Sequence, residues 1–281
     1  MTFNPVAAQN VLESRNCILN KKPKAIDLGS QTSSINNIFI KNLIQKNKTI
    51  SSSQKLSLEN LCSKKNFTTR DYFMSLGFKE YKSIDINGAY DSFQFDLNKN
   101  ILETYKFNQT YDLVINNGTG EHVFNQHALF LNFHNLTKVN GIMLNILPFI
   151  DWINHGFYNF NPIFFADLAA SNKYEIIKIS LANRNGAELK LDGKNFDILF
   201  EQIKPHRKDT KFEKIIEIAN EKIGKNILLV VITRKLEEAT FKTPLQGKYL
   251  SDISNFKTDY NSQEGGSAEA ANQISDNNKR K

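Results

Sequence analysis

The sequence predicts an α/β fold, a doubly wound and mostly parallel sheet with helices on both faces, and three observations carry that prediction. Runs of strand length, rich in Ile, Val and Leu, alternate with segments of helical period. Several of the runs end in Asp, Asn or Gly, the residues of ligand-binding turns at the carboxyl edge of an open sheet. The chain of 281 residues, 40% hydrophobic, is long enough for one large core with insertions.

Residues 1–23 read as an irregular N-terminal arm. The run 24-KAIDLGS-30 is a short strand closing on an acid and a glycine turn. From about 33 to 66 the chain is rich in Lys, Ser and Asn around one apolar patch, 38-IFIKNLI-44, which marks a polar, partly helical insertion. The segment 69-TRDYFMSLGF-78 has a helix period and a glycine stop, and strand 81-YKSIDI-86 follows. A short helix or loop after Asp96-Leu97-Asn98 leads to strand 111-YDLVIN-116. The pattern then gives a helix from about Glu121 to Leu136, a turn at Asn140-Gly141 and strand 142-IMLNILPF-149. Pro162 opens helix 162-PIFFADLAASN-172 at a position that suits proline. Strand 174-YEIIKISL-181, helix 210–224 and strand 226-NILLVVITRK-235 complete the domain, 24–236. The extension 237–281 lacks apolar periodicity from about 240 and has a disordered composition from about 261, so nothing beyond 240 is expected to support the fold.

The formal charge of +7 comes from thirty lysines and six arginines spread along the chain, with only short clusters at Lys21 to Lys24 and Lys204 to Lys211. A nucleic-acid surface concentrates basic residues on one face, so nucleic acid is disfavoured as a partner. No apolar run approaches the roughly 18 residues of a membrane span, and the N-terminus has no basic stretch followed by an apolar one, which gives the expectation of a cytoplasmic protein. Cys17 and Cys62 form no metal knuckle or disulfide framework. The sequence leaves the oligomeric state open.

The strand ends carry the polar residues. Asp27, Gly29, Ser30 and Gln31 follow the first strand, Asp85 and Ile86 close the second, and Asn117, Gly118 and Thr119 follow the third regular one. Gly29 is alone in its turn and no phosphate-binding loop is present, which disfavours a dinucleotide or ATP. A carboxylate after the second strand suits the two hydroxyls of a ribose, so a nucleoside ligand without phosphate fits best.

On these residues the chain, from about Lys24 to Lys235, resembles the class I S-adenosylmethionine-dependent methyltransferases. The resemblance rests on Asp27-Leu28-Gly29-Ser30 as the glycine turn, Asp85 as the ribose acid, Asp96-Leu97 as the adenine contact, and 111-YDLVINNGT-119 as the strand and loop beside the methyl donor. The runs 118-GTGEHVFNQ-126 and 155-HGFYNFNPIFF-165 are similar to a bacterial subgroup with a Gly-Thr-x-Glu-His-Val-Phe corner and a His-Gly-Phe-Tyr-Asn segment. The resemblance implies a Rossmann-like seven-stranded sheet and S-adenosylmethionine as cofactor. Gln31 stands where a second glycine is usual, and Asp27 and Asp85 are more widely spaced than in the family.

Two corners are candidates for chemistry. Glu121 and His122 sit where the pattern starts a helix, which favours a carboxylate and keeps an imidazole neutral, the state of a general base; the bland alternative is a cap. The segment 151-DWINHGFYNFNPIFF-165 carries too many aromatics for a solvated loop, and it is read as an acceptor pocket. There His155, Tyr158 and Asn159 would supply polar contacts, with Trp152, Phe157 and Phe160 excluding water; the alternative is a plug on the core. Glu121, His122 and His155 are the catalytic candidates. No metal site is expected, since His127 and His134 are seven apart and the sequence places no third ligand. His206 reads as a loop residue. The leading reading is methylation of a hydroxyl on a small or carbohydrate-like acceptor. A methyltransferase fold that serves only as a binding or scaffold protein is the alternative, and nucleic-acid methylation is weakened by the lack of an Asn/Asp-Pro-Pro-Tyr/Phe motif.

Overall fold

Strand β1 (Lys24–Asp27) is second from one edge of a seven-stranded sheet whose order is β2-β1-β3-β4-β7-β5-β6. The structure is a computed structural model, and it describes residues 2–191 and 211–246. The other strands are β2 (Glu80–Ser83), β3 (Tyr111–Asn117), β4 (Thr137–Ile150), β5 (Tyr174–Ala182), β6 (Glu188–Lys190) and β7 (Ile227–Lys235). β1 pairs in parallel with β2 and β3, and β3 pairs in parallel with β4. β7 is inserted antiparallel between β4 and β5, and β6 closes the edge antiparallel to β5. Five of the seven strands therefore point one way, the Rossmann-like, mostly parallel sheet that the sequence predicts.

All seven residues of β3 are buried. That continuous burial is what a parallel strand covered on both faces requires, and it explains why the run DLVIN shows no polar alternation. Alternate residues serve opposite layers. Ile26, Val114 and Met143 join a core with helices α5 (Ile101–Tyr105), α6 (Gln126–Leu136), α7 (Pro162–Asn172) and α8 (Lys211–Lys222). Ala25, Leu113, Ile115 and Ile142 join a second core with α1 (Pro5–Asn16), α2 (Asn37–Lys46), α3 (Ser52–Cys62) and α4 (Thr69–Ser75).

Several sequence expectations are corrected. Residues 1–23 are not an irregular arm: Asn4 caps α1 by accepting from the Ala7 N–H at 3.1 Å, and Val6, Ala7, Ala8, Val11 and Leu12 are buried against the sheet. Small residues and a Pro start hid this helix, because its buried side carries alanines in place of a strong apolar stripe. The insertion is helical over α2 and α3, as its apolar patch indicated. The expected helix from Glu121 is split. Gly120–His122 form a separate single 3-10 turn, and α6 starts at Gln126 with Asn125 as its cap, accepting from the Ala128 N–H at 3.1 Å. Asn140-Gly141 is a kink inside β4, with Asn140 at φ 61°, and not a turn before it.

The segment after 236 is docked as far as 246. Phe241 packs on the core, Lys242 donates its N–H to Asn172 Oδ1 at 2.8 Å, and a ring nitrogen of His134 meets the Ala239 carbonyl at 2.7 Å. Residues 240–246 thus belong to the fold, against the expectation that nothing beyond 240 does. Residues 247–281, including the stretch of disordered composition, lie outside the described residues, as do His206 and positions 204–210 of the second basic cluster. No helix among the described residues is long and apolar enough to cross a membrane.

Because α1 is part of the second core, Leu12→Ala should cost about 2 to 5 kcal/mol, the range for truncating a fully buried leucine. Urea denaturation reads this directly. A loss below about 0.5 kcal/mol, the size of an ordinary surface substitution, would return residues 1–23 to the status of a loose arm.

Candidate functional site

Between β1 and β3 the strand order reverses: from β1 the chain moves outward to β2, then crosses to β3 on the other side. Their carboxyl ends border the crevice where open sheets of this kind bind ligands. The turns after the two strands lock together there. A Cβ on Gly29 would stand 2.2 Å from Thr119 Oγ1, so glycine lets the Thr119 side chain lie directly against this turn. Gln31 Nε2 donates to the Asn117 carbonyl at 2.7 Å, and Asn117 Nδ2 donates back to Gln31 Oε1 at 3.1 Å. Gln31, which replaces the expected second glycine, is therefore a buried strap between the turns.

Asp27 lies fully buried under this strap. Its Oδ1 accepts the Gly29 N–H at 3.3 Å, and the buried Tyr81 hydroxyl faces the carboxyl as a second donor. Burial holds its carboxyl well above the usual carboxylate range, against the pull of the Gly29 N–H. Asp85 lies just past the end of β2 and faces the same turn. Its Oδ2 accepts both the Ser30 hydroxyl at 2.7 Å and the Ser30 N–H at 3.1 Å, and its Oδ1 accepts the Asn87 N–H at 3.2 Å. Ile86 is exposed and Leu97 is buried. Asp96 Oδ1 is held by the Asn98 N–H and side-chain amide, both at 3.0 Å, and these two bonds hold its pKa below the ordinary value.

The turn after β3 is shaped by Asn116. Its Oδ1 accepts the Gly120 N–H at 2.9 Å, its Nδ2 donates to Asn145 Oδ1 at 3.1 Å, and Gly118 takes a φ of 67°. The 3-10 turn that follows drives Glu121 inward, where it is 0% exposed, while His122 turns outward. Glu121 is thus no helix cap. Among the described residues no other residue hydrogen-bonds its carboxylate oxygens, and burial pushes its pKa up to about 7 against the pull of its own backbone N–H.

The aromatic segment 151–160 closes over this carboxylate. The Glu121 carbonyl accepts the Phe157 N–H at 2.8 Å. A Cβ on Gly156 would lie 2.8 Å from the Glu121 carbonyl oxygen and 2.9 Å from its Cγ, so glycine there permits the contact. His155 Nε2 lies 3.5 Å from Glu121 Oε1, and His122 Nε2 lies 3.8 Å from the same oxygen. The two imidazoles meet edge to face with centroids 5.1 Å apart. Burial depresses both imidazole pKa values; His155 adds to the effect on His122, and Arg184 adds to the effect on His155. The downward pull on His122 comes from desolvation and from its neighbour, not from a helix terminus.

The expected acceptor set divides. Trp152 is a wall of the Glu121 corner: it is buried, donates Nε1–H to the Ile227 carbonyl at 2.9 Å, packs on His155, and carries the Arg184 guanidinium 4.8 Å above its ring. Tyr158 and Asn159 instead line a cavity of about 470 Å³ between α6, α7 and residues 241–246, with Phe130, Phe164 and Phe241. Tyr158 also donates its hydroxyl to the Phe124 carbonyl at 3.0 Å. Phe157 is exposed, and Phe160 belongs to the core, so neither screens the corner from water in the way the sequence reading supposed. Sequence reasoning missed Arg184, Gly156 and the Asn116–Asn145 pair. Nothing local marks the first and third, while a glycine directly after His155 is a weak signal of close backbone approach.

No family model matches this chain, and no curated protein does. Among solved structures it is similar to TehB from Haemophilus influenzae, at 12% identity over 80% of this chain and 61% of that one, with a TM-score of 0.41. It is similar also to the O-methyltransferase of a trans-AT polyketide synthase multienzyme of Brevibacillus brevis, in complex with S-adenosyl-L-homocysteine, at 14% identity over 84% and 76%, TM-score 0.39. A geranyl diphosphate methyltransferase in complex with S-adenosylmethionine matches at 9% identity over 82% and 85%, TM-score 0.40. The chain spans less than two thirds of the length of TehB.

Asp27 binds a proton more tightly when buried than when unfolded, where its value is the ordinary 3.8. The stability this gives is complete below 3.8 and declines as the pH rises through the raised folded-state value. Asp27→Asn keeps an acceptor for the Gly29 N–H and cannot ionise. Its stability relative to the wild type should therefore rise as the pH is taken upward from about 4. Parallel stability curves from denaturant melts at several pH values would rule this out.

Proposed function

We propose that this chain transfers a methyl group from S-adenosylmethionine to a hydroxyl of a small or carbohydrate-like acceptor. One observation carries the reading: the glycine turn of β1, the acid after β2 and the Asn-Gly-Thr turn of β3 face one another across the switch point of the sheet, with Ser30 bonded to Asp85 and Gly29 against Thr119. These positions are the ones the sequence resemblance assigns to the cofactor.

The residues present fit such a ligand in kind. The Ser30 hydroxyl on Asp85 makes the hydrogen bond that a ribose hydroxyl would make. Asn117 Oδ1 is a buried acceptor with no partner among the described residues, suited to an ammonium donor. Asp85 would hold the ribose, Asp96 and Leu97 the adenine, and Asp27, Gly29 and Asn117 the amino-acid end. S-adenosylmethionine supplies a methyl group already activated by its sulfonium, so the protein chiefly has to align the acceptor and free its lone pair. Glu121, His122 and His155 are the groups that would do so, with both imidazoles neutral. Trp152 holds His155 in place, and Phe124 and Phe157, exposed and edge to face at 5.8 Å, form an apolar lip beside them.

The Gln31–Asn117 strap favours a second reading, a methyltransferase fold that binds a partner without catalysis, because the strap crosses the turns a cofactor has to enter. Calorimetric titration with S-adenosylmethionine and S-adenosylhomocysteine separates the two. Asp85→Ala should weaken binding by about 1.5 to 3 kcal/mol, the range for a hydrogen bond to a charged group. Ser30→Ala should not weaken it, since it frees the acid. Absence of binding at millimolar ligand would leave the second reading. With an acceptor found by screening with labelled donor, His122→Ala should reduce turnover far more than donor affinity. Turnover within about threefold of wild type would remove His122 from the chemistry.

A further inference from the structure

We propose that Glu121, His122 and His155 form a binding site for one divalent transition-metal ion. The three donor atoms, one carboxylate oxygen and two imidazole nitrogens, lie within 4.8 Å of one another. Ligands at about 2.0 to 2.2 Å from a common ion stand roughly 3 to 3.5 Å apart. The separation of 3.5 Å between His155 Nε2 and Glu121 Oε1 already meets this, and 3.8 Å for His122 needs a small movement of a half-exposed side chain.

A second observation points to a ligand. Glu121 is wholly buried, yet among the described residues no other residue hydrogen-bonds its carboxylate oxygens, and His155 Nε2 lacks a hydrogen-bond partner. Unsatisfied buried polar atoms are costly, and their concentration in one cluster calls for a cause. An imidazole donating to the carboxylate would resolve it, but the geometry does not make that bond. A cation bound by the oxygen and both nitrogen lone pairs would satisfy all three residues. The surroundings hold the set in place: the Asn116-shaped turn directs Glu121 inward, Gly156 lets the two corners touch, and Trp152 packs on His155. Arg184, the nearby cation, is held over the Trp152 ring.

Two imidazoles and one carboxylate suit zinc, iron or manganese better than calcium or magnesium, which prefer all-oxygen sites. Three protein ligands leave coordination positions open, as in catalytic sites. On the methyl-transfer reading, which this role of the ion rests on, an acceptor hydroxyl would bind at an open position and release its proton to solvent; its oxygen would then bond to the methyl carbon as the carbon–sulfur bond breaks, the electron pair passing to sulfur and S-adenosylhomocysteine leaving. The imidazole lone pairs would then serve the ion and would not act as bases.

The full chain, dialysed against chelator, would be titrated with Zn²⁺ by calorimetry and with Co²⁺ by ligand-field absorption. One ion per chain is expected, with Glu121→Gln, His122→Ala and His155→Ala each weakening affinity by about 100-fold or more and His127→Ala leaving it unchanged. Glu121→Gln preserves side-chain volume and His122 is half-exposed, so both variants should fold; circular dichroism checks this. Equal affinities in wild type and all three variants, or no ion bound by the wild type, would overturn the site. S-adenosylhomocysteine is titrated into the same samples. Ion binding without nucleoside binding upholds the site and defeats the methyl-transfer reading, whereas nucleoside binding without ion binding overturns the site alone.

Discussion

The contact between the turn after β1 and the turn after β3 is the constraint from which the site follows. Gly29 lies so close to the Thr119 side chain that a Cβ would meet its hydroxyl, and the Gln31–Asn117 amide pair fastens the same two turns. With the turns fixed, Asp27 is sealed beneath them, Ser30 is presented to Asp85, and the chain leaving Asn117 has one course, through Gly118 in the left-handed region to the buried Glu121. A larger residue at 29 would have to turn the Thr119 side chain away and loosen this contact.

Burial of charge-bearing groups is the second theme. Asp27 and Glu121 both lie in the interior of a crevice that bound groups could satisfy, and burial moves both toward the protonated form. A fold selected only for stability would replace such groups with apolar ones, because a buried polar atom without a partner costs more than the contact it displaces. Both lie at one end of the sheet, and Glu121 stands beside two imidazoles whose pKa values burial depresses.

The aromatic segment 151–160 links this corner to the other layers. Trp152 belongs to one core and Phe160 to the other, so the loop between them is pinned at both ends while His155, Gly156 and Phe157 cross over Glu121. Asp151 and Asn154 take left-handed backbone angles to make the bends. Packing at both ends and the Phe157 N–H bond to the Glu121 carbonyl hold His155 beside that carboxylate.

The sequence by itself determined the sheet, because strands such as ILLVVI are apolar throughout, YDLVIN has an unbroken apolar centre, and only a doubly covered sheet buries such runs. It also determined which strand ends carry polar chemistry, since Asp27, Asp85 and the Asn116–Thr119 turn are local to the strands that position them. It missed α1, whose alanine-rich buried face has little apolar periodicity, and residues 240–246, which dock through single contacts from Phe241 and Lys242. Glu121 and His155 are 34 positions apart, and their approach depends on a 3-10 turn, on Gly156 and on a loop fixed in two cores. Tertiary structure alone decided that meeting, because spacing along a chain does not encode the distance between two loops that separate strands bring together.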